Sequence, residues 1–192
     1  KIDILVDLSG HSQDNALPIM AYRPAPVQVS GIGYTNTTGL RTIDYFLSDE
    51  VCIPKGDTAA EAGFTEQILR LPHSHLCYAP ETIRTMPEAG YEPPMRKNGY
   101  VTFGSFNNFT KLNDAVLRVW AEILRRVEGS RLFLKTDVFS HADARAEALQ
   151  RLEAAGIPLA CVTVEGASRD YLAAYNHVDI ALDPFPYPGG GT

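Results

Sequence analysis

The sequence predicts an α/β protein with parallel sheets covered by helices on both faces. Short apolar runs that end at turns recur along the chain, and in its second half they alternate with amphipathic segments of roughly ten to fifteen residues. Such segments are long enough to cross from one parallel strand to the next. A stretch dense in proline, glycine and charge at residues 79–98 predicts a linker. We therefore expect one domain at residues 1–98, linker included, and a second at residues 99–192.

The first half is predicted to contain four strands and one helix. The apolar run Ile2–Leu8 is closed by a serine and a glycine, which is the pattern of a strand buried on both faces. A helix is expected over Asp14–Tyr22, although Pro18 interrupts it. Three further strands are expected at Val27–Ser30, Asp44–Ser48 and Glu66–Leu71.

The second half begins at about Gly99 with a strand that leads through a polar turn into a helix. Asn113 or Asp114 is expected to begin this helix, because both side chains cap helices well. Its apolar residues recur at the spacing of one buried face, which indicates core packing: Val116, Trp120, Ile123, Leu124 and Val127. The remaining elements are expected to be strands at Arg131–Lys135, Val162–Val164 and Asp179–Leu182, and helices at His141–Ala155 and at Ser168–Tyr175, the last capped by Ser168.

The composition of the chain disfavours nucleic-acid-binding and membrane-spanning proteins. The 192 residues carry 17 Lys plus Arg against 23 Asp plus Glu, and a net charge of −6 disfavours a nucleic-acid partner. The sequence contains no apolar run of about 18 residues, so no membrane segment is expected, and we predict a cytoplasmic protein. Cys52, Cys77 and Cys161 are odd in number and far apart, which predicts buried thiols. The chain opens inside an apparent strand, so we expect it to be a fragment of a longer protein.

The polar turn at residues 105–111 is the first candidate site. A strand that feeds a helix leaves backbone N–H groups unpaired at the helix start, where α/β proteins bind phosphate, and Lys111 adds a positive charge. The carboxyl ends of parallel strands meet at one edge of a sheet, so the loops at 165–169 and 183–192 are expected to converge on this turn. The alternative is an ordinary turn with a solvated lysine.

Other ligand motifs are weaker. Gly31 and Gly33 follow a strand, but the third glycine of a dinucleotide-binding fingerprint would fall at Asn36, which disfavours a nicotinamide oxidoreductase. His73 and His75 have no third ligand at useful spacing, so a surface turn is expected there rather than a metal site. The chain contains no Asp-x-Asp motif, and the expected site has no metal ligand.

Three stretches, in order, resemble a known family. Phe-Asn-Asn-Phe-Thr-Lys-Leu-Asn at 106–113 is similar to a segment of the bacterial relatives of O-GlcNAc transferase in glycosyltransferase family 41. Arg23–Val29 also agrees with that family, as do Gly33-Tyr34, Thr38-Gly39 and Asp44-Tyr45 after it, and Val178–Tyr187 with the glycines that follow. The resemblance implies a GT-B fold of two Rossmann-like lobes, the first incomplete here, in proteins that usually carry tetratricopeptide repeats.

The resemblance also implies roles for individual residues. Lys111 matches the lysine that contacts the donor diphosphate, and it is our catalytic candidate. The donor-binding candidates are Asn108, Gly33 in the first-lobe loop, Gly166 and Tyr171 near the base, and Gly190, Gly191 and Thr192 near the phosphates. The sequence departs from the family at Thr35-Asn36, where Pro-Gly is usual, and at Gly190 and Gly191, where eukaryotic members have His and Thr. No Asp or Glu is identified as a catalytic base.

The activity that this resemblance implies is the inverting transfer of N-acetylglucosamine from UDP-GlcNAc to Ser or Thr hydroxyls of an acceptor protein. The missing Asp-x-Asp motif and the positive charge of Lys111 predict that this transfer needs no metal. No cofactor is expected, and the sequence leaves the oligomeric state open. Two alternatives stay open. One is a module that binds a nucleotide sugar or another protein without turnover, and the other is a relative that uses GDP-fucose, as a related plant branch does.

Overall fold

The computed structural model describes residues 1–77, 87–88, 90 and 92–190. Its contacts divide the chain into two compact units, Lys1–Pro80 and Glu81–Thr192. The division falls inside the segment at 79–98 that was predicted as a linker. None of the helices in the described ranges is long and apolar enough to cross a bilayer.

The first unit is built on a four-stranded parallel sheet in the order β1-β2-β3-β4. Single-turn helices α1 (Leu17–Met20) and α2 (Thr58–Glu61) lie between strands. The strands, all at predicted positions, are β1 (Ile4–Asp7), β2 (Val27–Gly31), β3 (Tyr45–Asp49) and β4 (Gln67–Leu71).

Two predictions for this unit were wrong in detail. The first strand was expected to be buried on both faces, but Ile4 and Val6 are 61% and 48% exposed. β1 is an edge strand of its sheet, and Ile4 and Val6, two residues apart and therefore on one face of the strand, stay open to solvent. The helix expected over Asp14–Tyr22 is reduced to α1, because Pro18 is tolerated only in the first turn and Asn15 Oδ1 accepts from the N–H of Leu17 just before it.

The second unit contains another four-stranded parallel sheet, in the order β7-β6-β5-β8. Its helices are α3 (Met95–Asn98), α4 (Asp114–Arg126) and α5 (Ala142–Ala154). Short 3-10 helices span Phe109–Lys111, Asp137–Ser140, Leu159–Cys161 and Leu172–His177. The strands are β5 (Thr102–Ser105), β6 (Arg131–Lys135), β7 (Val162–Glu165) and β8 (Ile180–Ala181). These two sheets confirm the α/β class.

The core of the second unit lies between its sheet and helices α4 and α5. The predicted stripe on α4 is confirmed, since Val116 and Trp120 are buried and Ile123 and Val127 pack at its border. The face of the sheet opposite α4 and α5 contacts the 3-10 helix at Leu172–His177. The centre of the His177 ring lies 6.2 Å from the centre of the Phe133 ring in β6. Every residue of β5 is buried, which fixes the base of the turn that follows it.

The last elements differ from prediction. The helix expected at Ser168–Tyr175 is wrong, because a 3-10 helix begins only after Tyr171, and its Tyr175 and His177 rings lie against Phe106 and Phe133. The strand expected over Asp179–Leu182 pairs over two residues only. Residues 95–98 of the expected linker form α3.

The cysteines were also predicted incorrectly as buried thiols. Cys52 and Cys77 are exposed, and Cys161 is half-buried. Cys52 and Cys77 lie in loops beyond the ends of β3 and β4, which explains their exposure.

Candidate functional site

The turn after β5 is shaped by an asparagine cap. Asn108 Oδ1 accepts hydrogen bonds from the backbone N–H of Thr110 at 3.1 Å and from its hydroxyl at 3.0 Å, which starts the 3-10 helix Phe109–Lys111. Phe109 is buried in the core and anchors this helix. Lys111 is therefore held on a short, fixed turn.

Lys111 reaches the proline- and glycine-rich segment near the end of the chain. Its Nζ donates to the carbonyl oxygen of Pro188 at 3.1 Å and lies 4.9 Å from the centre of the Tyr187 ring. The structure thus brings Lys111 next to the glycine-rich turn. Gly190 is exposed two residues further on, and Gly191 and Thr192 lie outside the described residues.

Asn107 is the buried member of the asparagine pair. Its Nδ2 donates to Asp183 Oδ1 at 3.0 Å, and the N–H of Gly189 donates to the same oxygen at 2.9 Å. Within the described part of the chain, Asn107 Oδ1 is buried and has no hydrogen-bond partner. Asn107 also lines a cavity of about 120 Å³ at the carboxyl ends of β5 and β8. This buried carbonyl is available to a ligand that carries a donor.

Asn113, at the start of α4, contacts the same proline- and glycine-rich segment that Lys111 reaches. Its Oδ1 caps the helix by accepting from the N–H of Val116 at 3.0 Å, and its Nδ2 donates to the carbonyl of Phe185 at 2.8 Å. The amino end of a helix carries partial positive charge. Lys111 and this helix end therefore give the turn two sources of positive potential.

The loop after β7 is held by a buried lysine. Lys135 is only 6% exposed, and its Nζ donates to Glu165 Oε2 at 3.0 Å and to the carbonyl of Gly166 at 2.9 Å. The hydroxyl of Ser140 accepts from the N–H of Ala167 at 3.0 Å. A Cβ at Gly166 would lie 2.5 Å from that hydroxyl oxygen, so only glycine fits here.

Tyr175 is one of two described aromatic residues that line the cavity, and the other is Phe106. It stacks on Phe106 with ring centres 3.7 Å apart and an angle of 12° between the rings, and it lines the cavity together with Asn107. Tyr171, which the sequence singled out, is 49% exposed and lies just before the 3-10 helix. It does not line this cavity.

In the first unit, the Arg-Pro-Ala-Pro motif forms an ion-paired corner. The Arg23 guanidinium donates to Asp44 Oδ1 at 2.7 Å and to the carbonyl of Pro26 at 3.1 Å, while Asp44 Oδ2 accepts from the N–H of Gln28 at 2.9 Å. Hydrogen bonds from the Gln28 N–H, which has the larger effect, and from Arg23 hold the pKa of Asp44 below its ordinary value. The motif fixes how the chain enters β2.

Gly33 lies in the loop after β2, at a position with no room for a side chain. A Cβ there would lie 1.9 Å from the carbonyl oxygen of Leu8. The loop continues to Thr38, whose N–H donates to Glu66 at 2.8 Å. Gly33 belongs to the first unit, whereas Lys111, Asn108, Gly166, Tyr171 and Gly190 belong to the second.

Sequence reasoning identified Asn107 only as a residue of the turn, and it missed Asp183, which binds that turn, and Lys135, which holds the loop after β7. Lys135 is the last residue of a buried strand, and Asp183 comes two residues after β8. Polar residues at the carboxyl ends of buried parallel strands were therefore the available signal. The arrangement of a lysine, a helix amino end and a glycine-rich turn suits an anionic ligand, because all three present positive charge or N–H donors.

Comparison with known proteins shows which family this chain resembles. The family model described as Glycosyl transferase family 41 matches residues 1–81. A protein named probable UDP-N-acetylglucosamine–peptide N-acetylglucosaminyltransferase SPINDLY, from Solanum lycopersicum, is 45% identical across all of this chain, which spans 20% of that protein. The similarly named protein of Arabidopsis thaliana is 46% identical, and the chain spans 21% of it.

A solved structure extends this similarity to the fold. The structure of a mutant O-GlcNAc transferase from Thermobaculum terrenum matches 98% of this chain and 35% of its own, with a TM-score of 0.81 and 34% identity. The chain thus spans about a fifth of the length of the curated relatives it matches. These matches show that the chain belongs to glycosyltransferase family 41 and corresponds to a stretch of its O-GlcNAc transferase-like members.

Proposed function

We propose that the protein carrying this chain transfers N-acetylglucosamine from UDP-GlcNAc to Ser or Thr hydroxyls of acceptor proteins, with inversion. The names of the relatives support the donor and the acceptor class. The observation that carries the proposal is the hydrogen bond between Lys111 Nζ and the Pro188 carbonyl, because it joins two stretches that carry the family resemblance.

In this proposal Lys111 stabilises the leaving group. Breaking the bond between the sugar and UDP places negative charge on the β-phosphate oxygens. Lys111 Nζ exchanges its carbonyl partner at Pro188 for a phosphate oxygen, and the amino end of α4 adds to the positive potential. A preorganised donor of this kind is typically worth about 2.7–4 kcal/mol in the transition state.

The transfer is proposed to need no metal at the diphosphate. Transferases that use a metal commonly hold it with an Asp-x-Asp motif, and this sequence has none. The protein groups at the site supply positive charge instead. Transfer by the protein carrying this chain should therefore continue in excess EDTA, and a loss that Mg²⁺ or Mn²⁺ restores would contradict this part of the proposal.

Several finer features belong to the same proposal. They are a GT-B architecture, association with tetratricopeptide repeats and a cytoplasmic location, and they rest on the family resemblance. Asn108, Gly33, Gly166, Tyr171, Gly190, Gly191 and Thr192 remain the proposed donor-binding residues. Asn107 and Tyr175 are added because they line the cavity beside the turn.

Titration with UDP and GDP tests the proposal. We expect saturable binding of UDP by this chain and weaker binding of GDP. Stronger binding of GDP would indicate that the donor is a guanosine diphosphate sugar, such as the GDP-fucose that a related plant branch uses. Binding of neither nucleotide would overturn the donor site and favour a protein-interaction module. Incubation of the protein carrying this chain with UDP-GlcNAc and a peptide mixture, read by intact mass, tests the transfer itself.

A further inference from the structure

Three side chains of the types that bind zinc meet at one edge of the first sheet. The ligand atoms of Asp49, Cys52 and His75 all lie within 4.8 Å of one another. Asp49 is the last residue of β3, Cys52 follows three positions later, and His75 lies in the turn after β4. Because β3 and β4 are parallel neighbours, their carboxyl ends bring these loops together.

Backbone groups hold the Asp49 carboxylate in a fixed orientation. Its Oδ1 accepts from the N–H groups of Val51 at 2.9 Å and Cys52 at 2.8 Å. Its Oδ2 accepts from the N–H of His75 at 2.9 Å and lies 2.5 Å from His75 Nδ1. Such hydrogen bonds behind a carboxylate are the support that metal ligands usually have.

The burial of the three side chains also suits a metal site. The side chains of Asp49 and His75 are only 3% and 7% exposed, so both are largely withdrawn from water. Cys52 is exposed and lies at the rim, which leaves a path for an ion to enter. Two fixed buried ligands and one accessible thiol are thus present together.

We propose that Asp49 Oδ2, His75 Nδ1 and Cys52 Sγ form a zinc-binding site within the first unit. Mixed oxygen, nitrogen and sulfur ligands suit Zn²⁺ better than Mg²⁺ or Ca²⁺, which prefer oxygen alone. The ion takes the place of the proton between Asp49 and His75. The neutral imidazole then carries its proton on Nε2, and the Cys52 thiol releases one proton to water. A water molecule completes a tetrahedral site.

Zinc binding requires the three ligand atoms to shift by about 1 Å. Ligand atoms about 2.0–2.3 Å from a tetrahedral zinc lie less than about 4 Å from each other. Tetrahedral bond angles place such atoms roughly 3.2–3.6 Å apart, so Asp49 Oδ2 and His75 Nδ1, which are 2.5 Å apart, must separate by about 0.8 Å to admit the ion. The Cys52 sulfur lies within 4.8 Å of both atoms, so it must approach them by up to about 1 Å to become the third ligand.

This cluster could not be recognised from the sequence, because its residues are far apart along the chain. The expectation of a surface turn holds for His73, which is exposed, but it is wrong for His75, whose side chain is buried. Asp49 lies 26 residues before His75, because a crossover between two parallel strands separates them. The site lies in the first unit and is independent of the proposed transfer chemistry, which uses Lys111 in the second.

Cobalt substitution tests the site directly. Co²⁺ bound through a thiolate gives a charge-transfer absorption band, and Zn²⁺ displaces it. We expect wild-type protein to develop this band with one equivalent of Co²⁺ and to lose it on addition of Zn²⁺. Cys52→Ser should abolish the band and weaken zinc binding at least about 10-fold. His75→Ala should weaken zinc binding to a similar degree.

Two matched variants separate this site from adventitious binding. Cys77→Ser removes another exposed cysteine close to His75 in the chain, and His73→Ala removes its neighbouring histidine. Both should keep the band. The thermal transition of wild-type protein should also rise with zinc, whereas that of Cys52→Ser, whose exposed side chain is not needed for packing, should not. No band in wild-type protein, or a band lost in Cys77→Ser but kept in Cys52→Ser, would overturn the proposal.

Discussion

Asn107 and Asp183 are joined by a 3.0 Å hydrogen bond between Nδ2 and Oδ1 across 76 residues of sequence. The same Asp183 oxygen accepts from the N–H of Gly189. One carboxylate therefore couples the turn after β5 to the glycine-rich segment near the end of the chain. The position of that segment relative to Lys111 depends on this coupling.

Asp183→Ala is expected to loosen both segments. It removes the shorter hydrogen bond of the buried Asn107 amide and leaves only the Ser105 hydroxyl, at 3.5 Å, as its acceptor, which should lower the free energy of unfolding by about 1–3 kcal/mol. UDP binding should weaken as well, because the glycine-rich turn loses its anchor. Urea denaturation and UDP titration measure the two effects. Asp170→Ala, at an exposed position in the same unit, is the control and should change neither. Equal effects of the two variants would contradict this role.

Asn113 has two separable roles that two substitutions distinguish. Asn113→Ala removes the cap of α4 and should cost about 1 kcal/mol of stability. Asn113→Asp keeps the capping oxygen but loses the Nδ2 donor to Phe185, so stability should be retained while UDP binding weakens. Thermal denaturation and UDP titration of both variants check this. If Asn113→Asp binds UDP like wild-type protein, the contact with Phe185 has no part in the site.

Gly33 is expected to tolerate no side chain. Alanine there would place its Cβ 1.9 Å from the Leu8 carbonyl oxygen, and overpacking of this kind costs roughly 1–3 kcal/mol. Gly190→Ala is the matched control, because no atom lies within 4 Å of its added Cβ. The two variants should therefore differ clearly in urea midpoint. A Gly33→Ala variant as stable as Gly190→Ala would show that the loop relaxes freely.

Glu66 should make the first unit sensitive to acid. Burial by itself raises the pKa of this carboxyl, but hydrogen bonds from Thr38 and Thr37 outweigh that effect and hold the pKa below its usual 4.5. A lowered folded-state pKa means that the ionised group stabilises the fold above about pH 4.5, and that this contribution is lost as the pH falls through the folded-state pKa.

Comparison with Glu66→Gln over a pH series measures this contribution. The variant should be less stable than wild-type protein at pH 7, and the difference in urea midpoint should shrink steadily below about pH 4.5. Arg70 and Glu61 form a separate ion pair in the same unit, and they are unchanged in both proteins. A difference that stays constant from neutral to acid pH would show that the ionisation of Glu66 does not stabilise the loop.

Sequence patterns predicted elements whose signals are local. The apolar stripe of α4 and its Asn113 cap depend on residues within one helix, and both agree with the structure. The burial of β1 was wrong because an edge strand and a central strand have the same apolar pattern. Their difference depends on which elements cover the sheet, and this is a tertiary property.

The site was predictable in location and less so in detail. Lys111 was expected near the last loop, since parallel strands end at one edge of the sheet. The sequence could not tell which of two adjacent asparagines turns inward, and Asn107, rather than Asn108, is the buried one. Tyr175, rather than Tyr171, lines the cavity because the segment forms a 3-10 helix and presents a different ring to the sheet. Side-chain direction in such turns depends on backbone angles that residue type does not fix.

The binding of UDP to Lys111 variants tests the central claim most directly. The Lys111 side chain is partly exposed and its hydrogen bond is to a surface carbonyl, so Lys111→Ala should fold normally. By calorimetric titration we expect Lys111→Ala to bind UDP about 10-fold or more weakly than wild-type protein, in line with the roughly 1.5–3 kcal/mol of a hydrogen bond to a charged group. Lys111→Arg, which keeps the charge, should bind with intermediate affinity. Equal affinity of wild-type protein and a folded Lys111→Ala variant would contradict the account.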